Sequence, residues 1–223
     1  MNKGKIIVID GLDGCGKSTQ LEICAERLKE EGKKIRKISF PDYDSPSSAP
    51  VKMYLSGEIA KKADQVNAYA ASSFYAVDRY ISYKKYWEED YLEGSIILAG
   101  RYVSSNAMHQ MSKLSEENWD SYLDWLADYE YNKLELPRAD CTIFLDMPYE
   151  TAQKLLSGRY GGDENKKDVH EGNEDYMRKC RRAALYAAER LSWHTISCAD
   201  SKGEPRAVEA ISEEILLVIR NAL

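Results

Sequence analysis

The stretch Ile6-Ile7-Val8-Ile9-Asp10-Gly11-Leu12-Asp13-Gly14-Cys15-Gly16-Lys17-Ser18-Thr19 runs from a β-branched apolar segment into a glycine-rich turn and out into helix-forming sequence. Gly11, Gly16, Lys17 and Ser18 stand at the spacing G-x-x-x-x-G-K-[ST]. That spacing cradles a nucleoside triphosphate when a buried strand precedes it and a helix follows. Both conditions are met here. Ile6 to Ile9 reads as a strand, and the Leu-, Ala-, Glu- and Lys-rich run from Thr19 to Glu31, stopped by Gly32, reads as a helix. Gly11, Gly14 and Gly16 let the backbone close around phosphate oxygens with its N–H groups pointing inward, and the helix start adds partial positive charge. Lys17 is placed to bridge the terminal phosphates. Ser18 can offer its hydroxyl to Mg²⁺, and Thr19 completes the ATP cradle.

Outward from the loop, further β-branched runs recur at Lys34–Phe40, Ser95–Leu98, Thr142–Leu145 and His194–Ser197. Continuous apolar runs separated by helical patterns are the mark of parallel strands buried on both faces. Ala70, Phe74, Val77 and Ile81 form an apolar stripe at helical spacing within Ala68–Glu93, and Trp119, Tyr122, Leu123, Leu126 and Tyr129 form another. Residues 175–191 and 207–221 read as two more helices. The expected fold is α/β: a doubly wound parallel sheet of about five strands flanked by helices, of the P-loop type. Two segments break the pattern. Pro41–Pro50 is rich in Pro and Ser and reads as a surface loop. Gly158–Gly172 holds four glycines and several charges, and reads as either a mobile flap or a solvated connection.

The 223 residues, 43% hydrophobic and 30% charged, suit a single domain over 1–223 with an ordinary core. A net charge of −6 argues against a nucleic-acid partner, and no apolar run approaches a membrane span. Five cysteines without CxxC pairing point to neither a zinc site nor a disulfide framework, and a cytoplasmic protein is expected.

Tyr75 and Arg79 lie four apart, hence on one helical face. Together they could stack a base and grip a phosphate; on spacing alone they could equally be a core aromatic beside a solvated charge. Arg101 follows a buried strand at its C-terminal end, where open α/β sheets place ligands.

The loop with Asp13, Phe40-Pro41-Asp42-Tyr43, the helix Ser73–Arg79, Arg101-Tyr102 with Ser105-Asn106, and Asp168–Glu171 occur in an order that resembles the thymidylate kinase family. The resemblance runs from residue 5 to about 200. It implies phosphorylation of dTMP to dTDP by ATP with Mg²⁺, in a homodimer. It also implies that Tyr75 stacks on thymine, that Arg79 and Arg101 bind the acceptor phosphate, and that Asn106 hydrogen-bonds the base. Asp13 would contact the sugar 3′-hydroxyl or lie near the metal, and Phe40 and Tyr43 would line the acceptor pocket. His109 stands where a tyrosine usually packs on the sugar; it could play that steric part or be a satisfied histidine. Some members carry a catalytic arginine at the position of Gly14. Here that charge would come from a lid at about 157–174, with Arg159 ahead of Lys166 and Lys167. Gly100 replaces the acidic residue that usually precedes the Arg101 equivalent. Hence there are alternatives: a kinase for another deoxynucleotide or deoxynucleoside, or a catalytically impaired nucleotide-binding relative.

Overall fold

The computed structural model describes residues 3–62, 65–160 and 174–223. Five strands are found among them: β1 (Ile6–Gly11), β2 (Ile35–Ser39), β3 (Ile96–Gly100), β4 (Cys141–Asp146) and β5 (His194–Ser197). They lie in the order β2-β3-β1-β4-β5 with every neighbouring pair parallel. The helices are α1 (Lys17–Glu30), α2 (Ala49–Leu55), α3 (Ala68–Ser82), α4 (Glu88–Leu92) and α5 (Val103–His109). They continue with α6 (Trp119–Ala127), α7 (Tyr149–Tyr160), α8 (Glu174–Arg190) and α9 (Val208–Ala222). No helix among the described residues is long and apolar enough to cross a membrane.

Successive side chains of a strand point to opposite faces, and both faces of this sheet are covered. Ile7 and Ile9 of β1 join Leu21, Cys24 and Leu28 of α1 and Ile215 and Ile219 of α9 in one apolar layer. Ile6 and Val8 join Trp87, Tyr122 and Leu123 in the opposite layer. Each such side chain, fully withdrawn from water, contributes roughly 1.5–3 kcal/mol. The edge strand β2 is different: Arg36 and Lys37 point into solvent and pair with Asp90 and Glu22. Charge on an edge discourages pairing with another chain.

Three local features depart from what the sequence pattern suggests. Only half of the stripe packs inward: Ala70 and Phe74 are half-buried against Tyr54, Val66 and Ala71, whereas Val77 and Ile81 remain exposed, and the buried positions of the helix include Ala71, Ser72, Ala76 and Arg79. Pro41–Pro50 lies at the surface, with Tyr43, Asp44, Pro46 and Ala49 exposed, but it is partly buried and partly helical. Ser45, Ser47 and Ser48 are buried, and Asp78 of α3 accepts hydrogen bonds from the Asp42 amide at 2.9 Å and Ser47 Oγ at 2.5 Å. The serines therefore satisfy one another and the helix rather than water. Finally, α3 and α6 each run on into a π-helical turn, at Tyr83–Trp87 and Asp128–Lys133 respectively.

The close of α1 follows its sequence signal. Gly32 adopts φ 78°, its N–H reaches Lys29 O at 2.9 Å, and Lys33 N–H reaches Leu28 O at 3.0 Å. This pair of bonds satisfies carbonyls that the helix end would leave open, and it needs a left-handed residue. Gly32→Ala is expected to cost about 1–2 kcal/mol, read as a lower urea midpoint with an unchanged slope.

Candidate active site

Parallel pairing brings the C-terminal ends of β1, β2 and β3 to one edge, beside the point where the strand order reverses. A cavity of about 880 Å³ opens there, lined by residues from the loop after β1, from Phe40–Tyr43 after β2 and from Arg101 onward after β3. Gly16, at φ 88°, caps α1 in a left-handed conformation that directs the backbone into the helix. Gly14 has φ 84°, and a Cβ there would lie 2.7 Å from Ala152 O and 3.0 Å from Leu156 Cγ. The contact with α7 leaves position 14 no room for a side chain of any kind, an arginine included. Gly14, Gly16, Lys17, Ser18 and Thr19 all border the cavity; Gly11 sits behind it, packed on Cys15 and Leu145.

Lys17 Nζ donates to Leu12 O at 2.7 Å and lies 3.5 Å from Asp13 Oδ1. The same Asp13 oxygen accepts from Arg101 Nη2, so one carboxylate joins the loop cation to the arginine after β3. Burial pushes the Asp13 carboxyl up, but the charges of Arg101 and Lys17 outweigh it and hold the group well below the usual carboxylate range. Arg101 itself has φ 67°, a left-handed conformation that costs a non-glycine residue roughly 1–2 kcal/mol. Its Nη1 lies 3.3 Å from His109 Nε2, 3.5 Å from Ser105 Oγ and 3.9 Å from Asp10 Oδ1. Asp10 is fully buried and already accepts from Ser104 Oγ at 2.6 Å, Ser105 Oγ at 2.8 Å and the Gly11 amide at 2.8 Å.

The opposite end of the cavity departs from expectation at Arg79. Its fork, expected to hold the acceptor phosphate, is closed on Glu130: Nε to Oε2 at 2.7 Å and Nη2 to Oε1 at 2.6 Å. Both side chains are buried, and Nη1 donates to Tyr102 O at 3.3 Å. Arg79 therefore belongs with Asn106, whose Nδ2 donates to Glu130 Oε1 at 3.1 Å and to Ser72 O at 3.2 Å. Asn106 is expected to hydrogen-bond the base; its two amide hydrogens are spent on protein, and Oδ1 alone is left. Tyr75 and His109 border the same cavity, as do the buried Phe40 and the half-exposed Tyr43.

Two residues escape sequence reasoning. Gln110 is buried, borders the cavity and keeps Oε1 without a hydrogen-bond partner. It stands four after Asn106 on the same helical face, a signal that was available. Glu130 had none: within Asp128-Tyr129-Glu130-Tyr131 it reads as one more solvated acid.

A profile of the thymidylate kinase family matches residues 9–208 of this chain. The chain belongs to that family. It is 24% identical over 213 residues to a probable thymidylate kinase of Caldivirga maquilingensis, covering 96% of this chain and 92% of the relative. It is 28% identical over 185 residues to the thymidylate kinase of Mycobacterium tuberculosis, covering 82% and 84%. Among solved structures, thymidylate kinase from Candida albicans shares the fold with a TM-score of 0.68 at 20% identity, over 98% of this chain and 92% of that one. Within the family, Gly100 stands out on packing grounds. A Cβ there would lie 2.9 Å from Leu21 Cδ2 and 3.2 Å from Ser39 Oγ, so these two side chains already fill the space. Arg159 lies in the last turn of α7, but its side chain falls outside the described residues, as do Lys166, Lys167 and most of the expected lid, residues 161–173. Gly100→Asp is expected to destabilise the fold by about 1–3 kcal/mol through overpacking, measurable as a reduced urea midpoint relative to wild type.

Proposed function

We propose that this chain, working as one kinase domain, transfers the γ-phosphoryl group of ATP to dTMP, giving ADP and dTDP. The observation that carries the reading is one cavity with two unlike ends. Lys17, Asp13 and Arg101 form a charged row at the loop end, and Asn106, Arg79 and Gln110 form a hydrogen-bonding wall at the other. A nucleoside monophosphate has that polarity. Lys17 and the loop amides hold the triphosphate, while Arg101 turns its guanidinium to the acceptor phosphate and Tyr75 gives the base a face to stack on. The acceptor is an anion at neutral pH, so no strong base is required; alignment and charge neutralisation lower the barrier. Asp13, kept ionised by its two cations, holds Arg101 on the axis between donor and acceptor and leaves its second oxygen for the sugar hydroxyl. His109, against Arg101, borders the sugar position.

Mg²⁺ fits this site through hard oxygen donors, the Ser18 hydroxyl together with phosphate oxygens. The described residues contain no group of three His, Cys, Asp or Glu side chains that would form a separate cage. The ion supplies charge neutralisation on the triphosphate when bound. Arg159 is the residue we assign to the transferred group from the lid side. The five buried, unpaired thiols suit a reducing cytoplasm.

An ADP-release assay with Mg²⁺ across nucleoside monophosphates and thymidine is expected to give dTMP as the best acceptor. Chelation should abolish turnover, and Lys17→Met or Arg101→Met should lower kcat/KM by about 10²–10³-fold. Preference for another monophosphate, or turnover of thymidine itself, would overturn the reading.

The chain is further proposed to form a homodimer through the outward face of α3, where Val77, Tyr80 and Ile81 are 40%, 39% and 38% exposed at neighbouring helical positions. Light scattering should report twice the chain mass for wild type and a single-chain mass for Val77→Glu/Ile81→Glu.

A further inference from the structure

We propose that Glu130, which lies behind Arg79 and Asn106, is a positioning residue that sets the hydrogen-bond polarity of the base end of the cavity and so its preference for thymine over cytosine. The inference rests on the dTMP reading. Glu130 is fully buried and is presented by the π-helical turn that extends α6; such turns recur where a helix re-aims a functional side chain. Its Oε2 accepts from Arg79 Nε at 2.7 Å, and its Oε1 accepts from both Arg79 Nη2 at 2.6 Å and Asn106 Nδ2 at 3.1 Å.

The consequences follow by counting donors and acceptors. Asn106 has two amide hydrogens; one goes to Glu130 and the other to Ser72 O at 3.2 Å. Its remaining polar atom, Oδ1, is an acceptor at the cavity wall. Inverting the amide would set Oδ1 against a carboxylate and a carbonyl, two acceptors with no hydrogen to share, so Glu130 and the Ser72 carbonyl together fix the orientation, the charged acceptor more strongly. Arg79 spends one edge of its guanidinium on Glu130 and one Nη1 hydrogen on Tyr102 O. Its other N–H groups remain as donors beside the Asn106 acceptor.

The wall thus presents a donor next to an acceptor. Thymine presents the complement, the O4 carbonyl next to N3–H. Cytosine presents an amino group next to a bare N3, which is mismatched at both positions. Replacing the carboxylate by an amide weakens the enforcement: Arg79 loses its counter-charge, and Asn106, facing a side chain that both donates and accepts, keeps only the Ser72 carbonyl to oppose inversion. Glu130 itself reaches no substrate atom.

The test compares dTMP with 5-methyl-dCMP, which keeps the ring methyl and the size but inverts the edge. Wild type is expected to favour dTMP by about 100-fold or more in kcat/KM. In Glu130→Gln that ratio should fall at least about tenfold, through a raised KM for dTMP, with KM for ATP unchanged. A folded Glu130→Gln that retains the wild-type ratio overturns the proposal. In ¹⁵N-labelled wild-type protein, independent of any variant's folding, both Asn106 side-chain protons should stay protected from solvent exchange when dTMP binds. Free exchange of either, or a dTMP-induced shift showing donation to the base, overturns it too. Absence of any dTMP turnover would instead sink the functional reading. Turnover with unmoved selectivity in the variant removes only the role of Glu130.

Discussion

The site depends on the carboxylate of Asp13, because one of its oxygens joins the cation of the loop after β1 to the cation after β3. Without a shared anion, Lys17 and Arg101 would repel each other across a few ångströms in a partly desolvated cleft, where such repulsion is worth several times its value in water. Two consequences are visible. Asp13 is held ionised by both neighbours. Arg101 accepts a left-handed backbone conformation at the end of β3, a strain the surrounding contacts sustain. That strain sits at the mouth of the cavity, where it aims a guanidinium that an extended continuation of the strand would carry past the site.

The strand-loop-helix at Ile6–Thr19 was legible because its signals are local: a buried apolar run, glycines at fixed spacing and a helix start. The five strands and the helices after residues 173 and 207 followed from periodicity in the same way. What periodicity could not reveal is which side of a helix meets the core. The second half of the apolar stripe of α3, Val77 and Ile81, points outward, while the inward face carries Ser72, Asp78 and Arg79, polar groups whose partners come from distant segments. Those partners, Tyr122, the Asp42 amide and Glu130, are separated from α3 in sequence, so nothing near residue 79 announces that its charge is already matched. The expectation that the fork of Arg79 stands open for a phosphate had this physical origin. A guanidinium beside an aromatic looks available until its counter-ion is seen.

Positions 14 and 100 make a related point about glycine. Both stand where the family resemblance leads one to expect a charged side chain, and sequence alone presents them as missing charges. Packing presents them as filled space: α7 lies against Gly14, and Leu21 and Ser39 lie against Gly100. A charge cannot simply be restored to position 14, where backbone closes the gap, and at position 100 it requires the Leu21 and Ser39 side chains to move aside. Negative charge beside Arg101 comes instead from Asp10 and Asp13.

The two ends of the cavity differ in how firmly their charges are held. At the phosphate end, Asp13 and Arg101 keep 25% and 18% of their side-chain surface in contact with solvent, so their pairing can loosen as phosphate oxygens compete for the guanidinium. At the base end, Arg79 and Glu130 are at most 1% exposed. Breaking such a sealed pair costs about 3–5 kcal/mol, more than a single ligand hydrogen bond returns. A ligand can therefore reorganise the phosphate end but must conform to the base end. With phosphate and base seated at the two ends as proposed, discrimination between acceptors follows from that asymmetry. Any anion of suitable charge satisfies Arg101, whereas only a base whose edge fits a polarity already set by the protein avoids leaving a buried donor or acceptor unpaired.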